Sequence, residues 1–115
     1  MKKVYHLTTC NTCQRILKEV GVTDFEQQCI KSNPITKEQL VQMAEVSGSY
    51  ESLFSRRAMK YKEMGLKEKT LSEEDYQKLL LEHYTFLKRP VFIIDNQIYI
   101  GNSKKNIAKL IADLG

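Results

Sequence analysis

The chain has no long apolar run. Its 42% hydrophobic residues fall in short groups, and none approaches the roughly 20 consecutive apolar positions of a membrane-spanning helix. The opening residues, Met1-Lys2-Lys3-Val4-Tyr5-His6-Leu7, also lack the apolar stretch and small-residue cleavage site of a secretory signal. A soluble, cytoplasmic protein with no membrane partner is expected. A disulfide framework is missing too. Three cysteines is an odd number, and without an export signal such a set points to redox chemistry or metal binding. Charge of one sign is only mildly in excess: 18 Lys and Arg against 14 Asp and Glu give +4 and a pI near 8.9. Spread along the chain, that suits an anionic partner but gives no reason to expect direct nucleic-acid binding. With 115 residues there is room for one modest core, so a single domain over residues 1–115 is expected, without repeats or linkers.

What is present alternates in a readable way. Residues 4–7 are short, aromatic and β-branched and stop at Thr8-Thr9, which suit a turn or helix N-cap, so they predict a first strand. A helix is expected to start at Cys10, with Ile16, Leu17 and Val20 at helical spacing from Cys13 and Gly21 as its stop. Residues 25–30 predict a second strand, and strand, helix, strand requires parallel pairing through a right-handed crossover. The centre reads as all helical. Asn33-Pro34 breaks the chain, and Thr36-Lys37-Glu38-Gln39 has capping-box spacing before Leu40, Val41, Met43 and Ala44, with an end near Gly48. A second helical segment is expected from about Tyr50 through Tyr61, stopped by Met64-Gly65-Leu66. A third is expected from Thr70-Leu71-Ser72-Glu73, with Tyr76, Leu79, Leu80 and His83 on one face. Arg89-Pro90 then leads into residues 91–94, the turn Asp95-Asn96-Gln97 and residues 98–101, which read as an antiparallel hairpin. Pro90 at the first strand position costs no internal ladder bond. Asn102-Ser103 caps a last helix with Ile107, Leu110, Ile111 and Leu114 on its buried face.

The chemistry centres on Cys10-Asn11-Thr12-Cys13. If the helix starts at Cys10, Cys13 lies one turn on along the same face. The unpaired amides and positive dipole end there favour a thiolate over a thiol, which makes a nucleophile without a metal. The pair also admits two other readings. It is half of a zinc site if Cys29, His6 or His83 completes the ligand set, or it is an inert buried pair. The motif follows a strand and opens a helix, as redox motifs do. Cys29 falls inside a predicted strand and reads as a small core residue.

Tyr5-His6 ahead of Cys10, the segment from Ser55-Arg56-Arg57 through Tyr61-Lys62-Glu63-Met64-Gly65-Leu66, the stretch Leu87-Lys88-Arg89-Pro90-Val91, and Ile100-Gly101 before the last helix together resemble the ArsC/Spx family. That family includes glutaredoxin-dependent arsenate reductases and the redox-sensing transcription regulator Spx, and the likeness covers nearly the whole chain. It implies an α/β fold of thioredoxin/glutaredoxin type. A helical insertion over about residues 36–85 would separate an N-terminal βαβ unit from a C-terminal ββα unit. In that fold the proline matching Pro90 is cis and lies against the catalytic cysteine.

The resemblance carries over Cys10 as nucleophile and Arg57 and Arg89 as anion contacts. A planar guanidinium fork can hold two oxygens of a tetrahedral oxyanion while its charge favours the adjacent thiolate. Arg57 also has a plainer reading, as part of a solvated helix face with Arg56, Lys60 and Lys62. His6 reads either as a packed strand histidine or as a group that tunes Cys10. Three departures stand out. Asn102-Ser103 replaces a third arginine of the reductases, Leu7-Thr8-Thr9 replaces their lead-in, and Cys13 replaces a small hydroxyl residue. The C-x-x-C is instead the Spx pattern, although the glycine with which Spx meets RNA polymerase corresponds by counting to Ser49, beside Gly48.

Two functions therefore stand. In the first, the protein is a thiol-dependent oxidoreductase, reduced through Cys13 or through glutathione, with glutaredoxin or thioredoxin as reductant. Glutathione is then a co-substrate, and no metal or organic cofactor is bound. In the second, Cys10 and Cys13 form the disulfide switch of a regulator that binds RNA polymerase.

Overall fold

Short β-branched and aromatic runs separated by capped helical stretches yield four strands and five helices in the computed structural model, which describes residues 1–114. They are β1 (Lys2–His6), α1 (Asn11–Val20), β2 (Glu26–Cys29), α2 (Lys37–Ser47), α3 (Met59–Glu63), α4 (Glu73–Glu82), β3 (Val91–Ile94), β4 (Gln97–Ile100) and α5 (Lys104–Leu114). These elements divide between two units, one of Met1–Asn33 with the chain from Arg89 onward, the other Pro34–Lys88.

The first unit holds the whole sheet, in order β2-β1-β3-β4. β1 and β2 are parallel, as the crossover through α1 requires, while β1–β3 and β3–β4 are antiparallel. This is the thioredoxin/glutaredoxin-like arrangement that the resemblance implied, and it agrees with the order of strands and helices read from the residues. Register places Val4 opposite Phe92 and Phe92 opposite Tyr99, so the three share one face. That face packs with Ile16 and Leu17 of α1, Ile107 and Leu110 of α5, and Phe25. Phe25 meets Phe92 edge to face, with centroids 5.6 Å apart. Tyr99 donates its hydroxyl to the Asp113 carboxylate, and burial, followed by that bond, pushes its pKa up to about 12. The effect is to tie β4 to the last turn of α5. Ser103 caps α5, its hydroxyl accepting the Asn106 amide at 3.1 Å. One expectation fails here: Ile111 is 39% exposed rather than buried, because the sheet face is already filled by Ile107 and Leu110.

The second unit is helical. α2 starts with the expected reciprocal box, in which the Thr36 hydroxyl accepts the Gln39 amide and the Gln39 side chain accepts the Thr36 amide. It stops at Gly48, left-handed at φ 102°, a conformation costly for any residue with a Cβ. The helix expected over 50–61 is not formed as one piece. A 3-10 turn (Glu51–Leu53) ends at Phe54, which is extended (φ −88°, ψ 127°) and bridged to Leu87. The Ser55 amide donates to the Phe86 carbonyl at 2.7 Å and the Lys88 amide to the Leu53 carbonyl at 2.9 Å. The Phe54 ring stacks on Phe86 at 4.7 Å and meets Tyr76 at 5.0 Å, so tertiary packing overrides local helix preference. α3 is short and contains Lys60 and Lys62, and Gly65 behind it is left-handed (φ 64°). The start of α4 also shifts. Its N-cap is Ser72, in a reciprocal box with Asp75, rather than Thr70 with Glu73. Glu73 instead accepts the Tyr50 and Glu51 amides at 2.7 and 3.2 Å, capping the 3-10 turn. Tyr76, Leu79 and Leu80 are buried as expected. His83 is instead the extended C-cap residue of α4, against Phe86.

Candidate thiol site

The site is built where β1 turns into α1. Cys10 is the N-cap residue of α1, extended at φ −97° and ψ 110°, and its side chain makes no capping bond. The first turn of α1 contains no acidic residue, whereas α2 has Glu38 and α4 has Glu73, Glu74 and Asp75 in the equivalent turns. The positive end of the α1 dipole therefore meets no carboxylate from its own first turn, and the Cys10 sulfur is the group placed to use it.

Electrostatics split the two thiols. Burial opposes ionisation of Cys10. The Cys13 amide and thiol, the Arg89 charge and the Thr12 amide, all facing the sulfur although neither amide makes a capping bond to it, outweigh burial, so the pKa is lowered. Cys13 moves the other way: it is buried, donates to the Cys10 sulfur, and is pushed up to about 11, although the Leu7 amide and Arg89 partly offset this. The result is one half-buried thiol that ionises more readily than usual beside one buried thiol that holds its proton. Neither is in a disulfide.

Arg89 reaches this end of the sheet through register. Tyr5 pairs with Val91 in antiparallel β1–β3, so the chain leaving β1 and the chain arriving at β3 run past each other, and Arg89 is half-buried there. Pro90 follows it, buried and joined by a cis peptide bond, and its carbonyl accepts the Gly101 amide at 2.9 Å. His6, the last residue of β1, is 5% exposed, and burial lowers its pKa, so at neutral pH it is an uncharged packed ring. Arg57 lies in the second unit, on an exposed turn before α3. It is therefore not on a helix face with Lys60 and Lys62. Its neighbour Arg56 pairs with Glu51 at 2.6 Å and donates to the Tyr76 hydroxyl at 3.0 Å. Asn102 and Ser103 are both exposed at the start of α5.

Cys29 is the residue that sequence reasoning misplaced. It ends β2 half-exposed, 3.5 Å from the Thr8 hydroxyl. The Thr8 hydroxyl and amide, then the Ser32 amide and hydroxyl, outweigh burial and hold its pKa down to about 6. The available signal was the turn-forming Ser32-Asn33-Pro34 just beyond it, which marks a strand end rather than a strand interior. Alkylation by iodoacetamide should reflect this. Because its pKa is depressed, Cys29 is expected to react at a rate that rises through about pH 6 and is flat above pH 7. In the unfolded chain the rise should move to about pH 8.5, the ordinary thiol value. Site-resolved mass spectrometry reads both.

Among the described residues no three His, Cys, Asp or Glu side chains are grouped to hold a metal ion. None of the described helices is long and apolar enough to cross a membrane.

The sequence model of the ArsC family matches residues 5–110. Global transcriptional regulator Spx 2 of Bacillus anthracis is 24% identical to this chain, over 96% of the chain and 87% of that protein. An arsenate reductase of Yersinia enterocolitica is 29% identical, over 78% of the chain and 66% of its own length. Among solved structures, an ArsC-family-related protein from Bacteroides fragilis superimposes with a TM-score of 0.78 at 25% identity, covering 95% of this chain and 96% of that one.

Proposed function

Because the chain belongs to the ArsC family, we propose that it is a thiol-dependent oxidoreductase of the cytoplasm in which Cys10 is the nucleophile and Cys13 or glutathione the second thiol. The observation that supports this most is the opposed titration of two neighbouring cysteines, Cys10 lowered and Cys13 raised to about 11. A thiolate attacks; a thiol waits as proton donor and later attacker.

The substrate is an oxidised arsenic or sulfur centre. With arsenate, the Cys10 thiolate bonds to arsenic(V) and one oxygen leaves as water with two protons taken from the site. Cys13, losing its proton, then attacks the Cys10 sulfur. The S–As bond breaks, its electron pair stays on arsenic as arsenic(III), and the two sulfurs are oxidised to a Cys10–Cys13 disulfide. Glutathione attacking in place of Cys13 leaves a mixed disulfide on Cys10. With a disulfide substrate, Cys10 attacks one sulfur and the other departs as a thiolate. Glutaredoxin or thioredoxin returns the protein to the dithiol state. Arg89, whose charge already favours the Cys10 thiolate, holds the oxyanion or a glutathione carboxylate.

Mass spectrometry after mild oxidation with glutathione present tests this. An internal Cys10–Cys13 bridge in the native chain, replaced by a glutathione adduct on Cys10 in Cys13→Ser, supports the dithiol route. An adduct formed equally in both supports the monothiol route. Absence of Cys10 from every product would overturn the proposal.

A second reading is favoured by the Spx relative, whose alignment spans 96% of this chain. In it the same pair is a redox switch, and the exposed turn bearing Arg56 and Arg57 meets RNA polymerase. Retention on purified polymerase, lost on oxidation, would favour the regulator. Arsenate-dependent NADPH consumption with glutathione and glutaredoxin would favour the enzyme.

A further inference from the structure

The Cys10 side chain makes no capping bond, so the place of its sulfur depends on how the backbone of the loop before α1 is held. Whether the Thr12 and Cys13 amides converge on its sulfur is set by how residues 7–10 are held. The Leu7 carbonyl is the centre of that loop. It accepts the Cys10 amide at 3.1 Å and the Gln14 side-chain amide at 3.2 Å. Only the NH2 group of Gln14 can make the second bond, because its other polar atom is an acceptor like the carbonyl it faces. The backbone amide of Gln14 meanwhile donates to the Cys10 carbonyl at 3.1 Å. On its other side Leu7 directs its amide at the Cys13 sulfur. Leu7 is buried, and its carbonyl has both lone pairs satisfied.

We infer that Gln14 is a positioning residue for the proposed nucleophile, acting through the Leu7 carbonyl to hold the loop that presents Cys10 to the α1 amides. Without the second donor, the carbonyl keeps one partner in a partly buried setting and the peptide between Leu7 and Thr8 gains freedom to rotate. The inference rests on the reading of Cys10 as the reacting thiolate.

The test is Gln14→Met, which keeps length and helix preference but has no donor. Gln14→Ala serves as a second variant should the thioether fail to pack. Site-resolved iodoacetamide alkylation of Cys10 is followed against pH in native and variant chains, with thermal unfolding alongside. The expected result is an upward move of the Cys10 inflection, seen as an about threefold slower reaction at pH 7, in line with loss of one neutral hydrogen bond. Superimposable pH profiles overturn the inference, whatever unfolding does, because a merely structural bond alters stability without altering thiol titration. The two readings fail separately. If Cys10 of the native chain titrates like an ordinary thiol, the proposed function falls and this inference with it. If the native value is low and the variant's equally low, only the role of Gln14 falls.

Discussion

Cys10→Ser is expected to lower arsenate- or disulfide-dependent NADPH consumption, coupled through glutathione and glutaredoxin, by at least about a thousandfold. A serine hydroxyl at the same N-cap position would meet the same Thr12 and Cys13 amides, yet it does not ionise near neutrality and cannot form the sulfur–sulfur bond that carries the electrons. The loss should be one of chemistry alone. Cys10 is half-buried and its side chain caps nothing, while serine is a preferred N-cap residue, so the unfolding midpoint should stay or rise. Retained turnover in Cys10→Ser would move the nucleophile elsewhere, and Cys29, with its depressed pKa of about 6, would be the first residue to examine.

Arg89→Ala is expected to cost about a hundredfold in kcat/KM, comparable to removing one preorganised charge or donor from a developing anion. Two effects add. The side chain no longer holds the oxyanion, and its charge no longer favours the Cys10 thiolate. The second effect has a definite pH dependence. Arg89 lowers the pKa of Cys10, so its removal raises that pKa. Below the raised value the thiolate fraction is small and the defect is greatest; as pH rises past it the thiolate returns and part of the rate recovers. Arg89 also lowers the Cys13 pKa, so the variant's Cys13 should be still harder to ionise, which slows the resolving step. Arg89→Lys should recover the Cys10 pKa more fully than the rate, because an ammonium supplies charge without the two-pronged fork. A pH–rate profile of Arg89→Ala superimposable on that of the native chain would show that the arginine acts only as packing.

The thiol site was legible where local rules decide the outcome. A C-x-x-C directly after a strand fixes the N-cap placement of Cys10 and the one-turn offset of Cys13. The short apolar runs after Pro90 and around the polar Asp95-Asn96 turn set the hairpin, although Gln97 opens β4 rather than closing the turn, and the parallel β1–β2 pair follows from the crossover. What was not legible depends on contacts distant in sequence. Residues 50–61 carry helix-compatible residues, but the bridge from Phe54 to Leu87 and the stack on Phe86 break that stretch, and both partners lie over 30 residues away. Thr70 and Ser72 both offer capping-box spacing, and the choice fell to Ser72 once Glu73 was engaged by the Tyr50 and Glu51 amides. Cys29 escaped for a similar reason. Its donors come from Thr8 on the neighbouring strand's exit and from Ser32, a combination visible only when β1 and β2 are side by side.

Site-resolved titration of the reduced protein by alkylation tests the central claim most directly. Cys10 should become reactive at a pH below the ordinary thiol value of about 8.5, while Cys13 stays unreactive until about pH 11. Equal titration of the two cysteines, or a Cys10 that resists alkylation at neutral pH, would contradict a poised nucleophile at the start of α1.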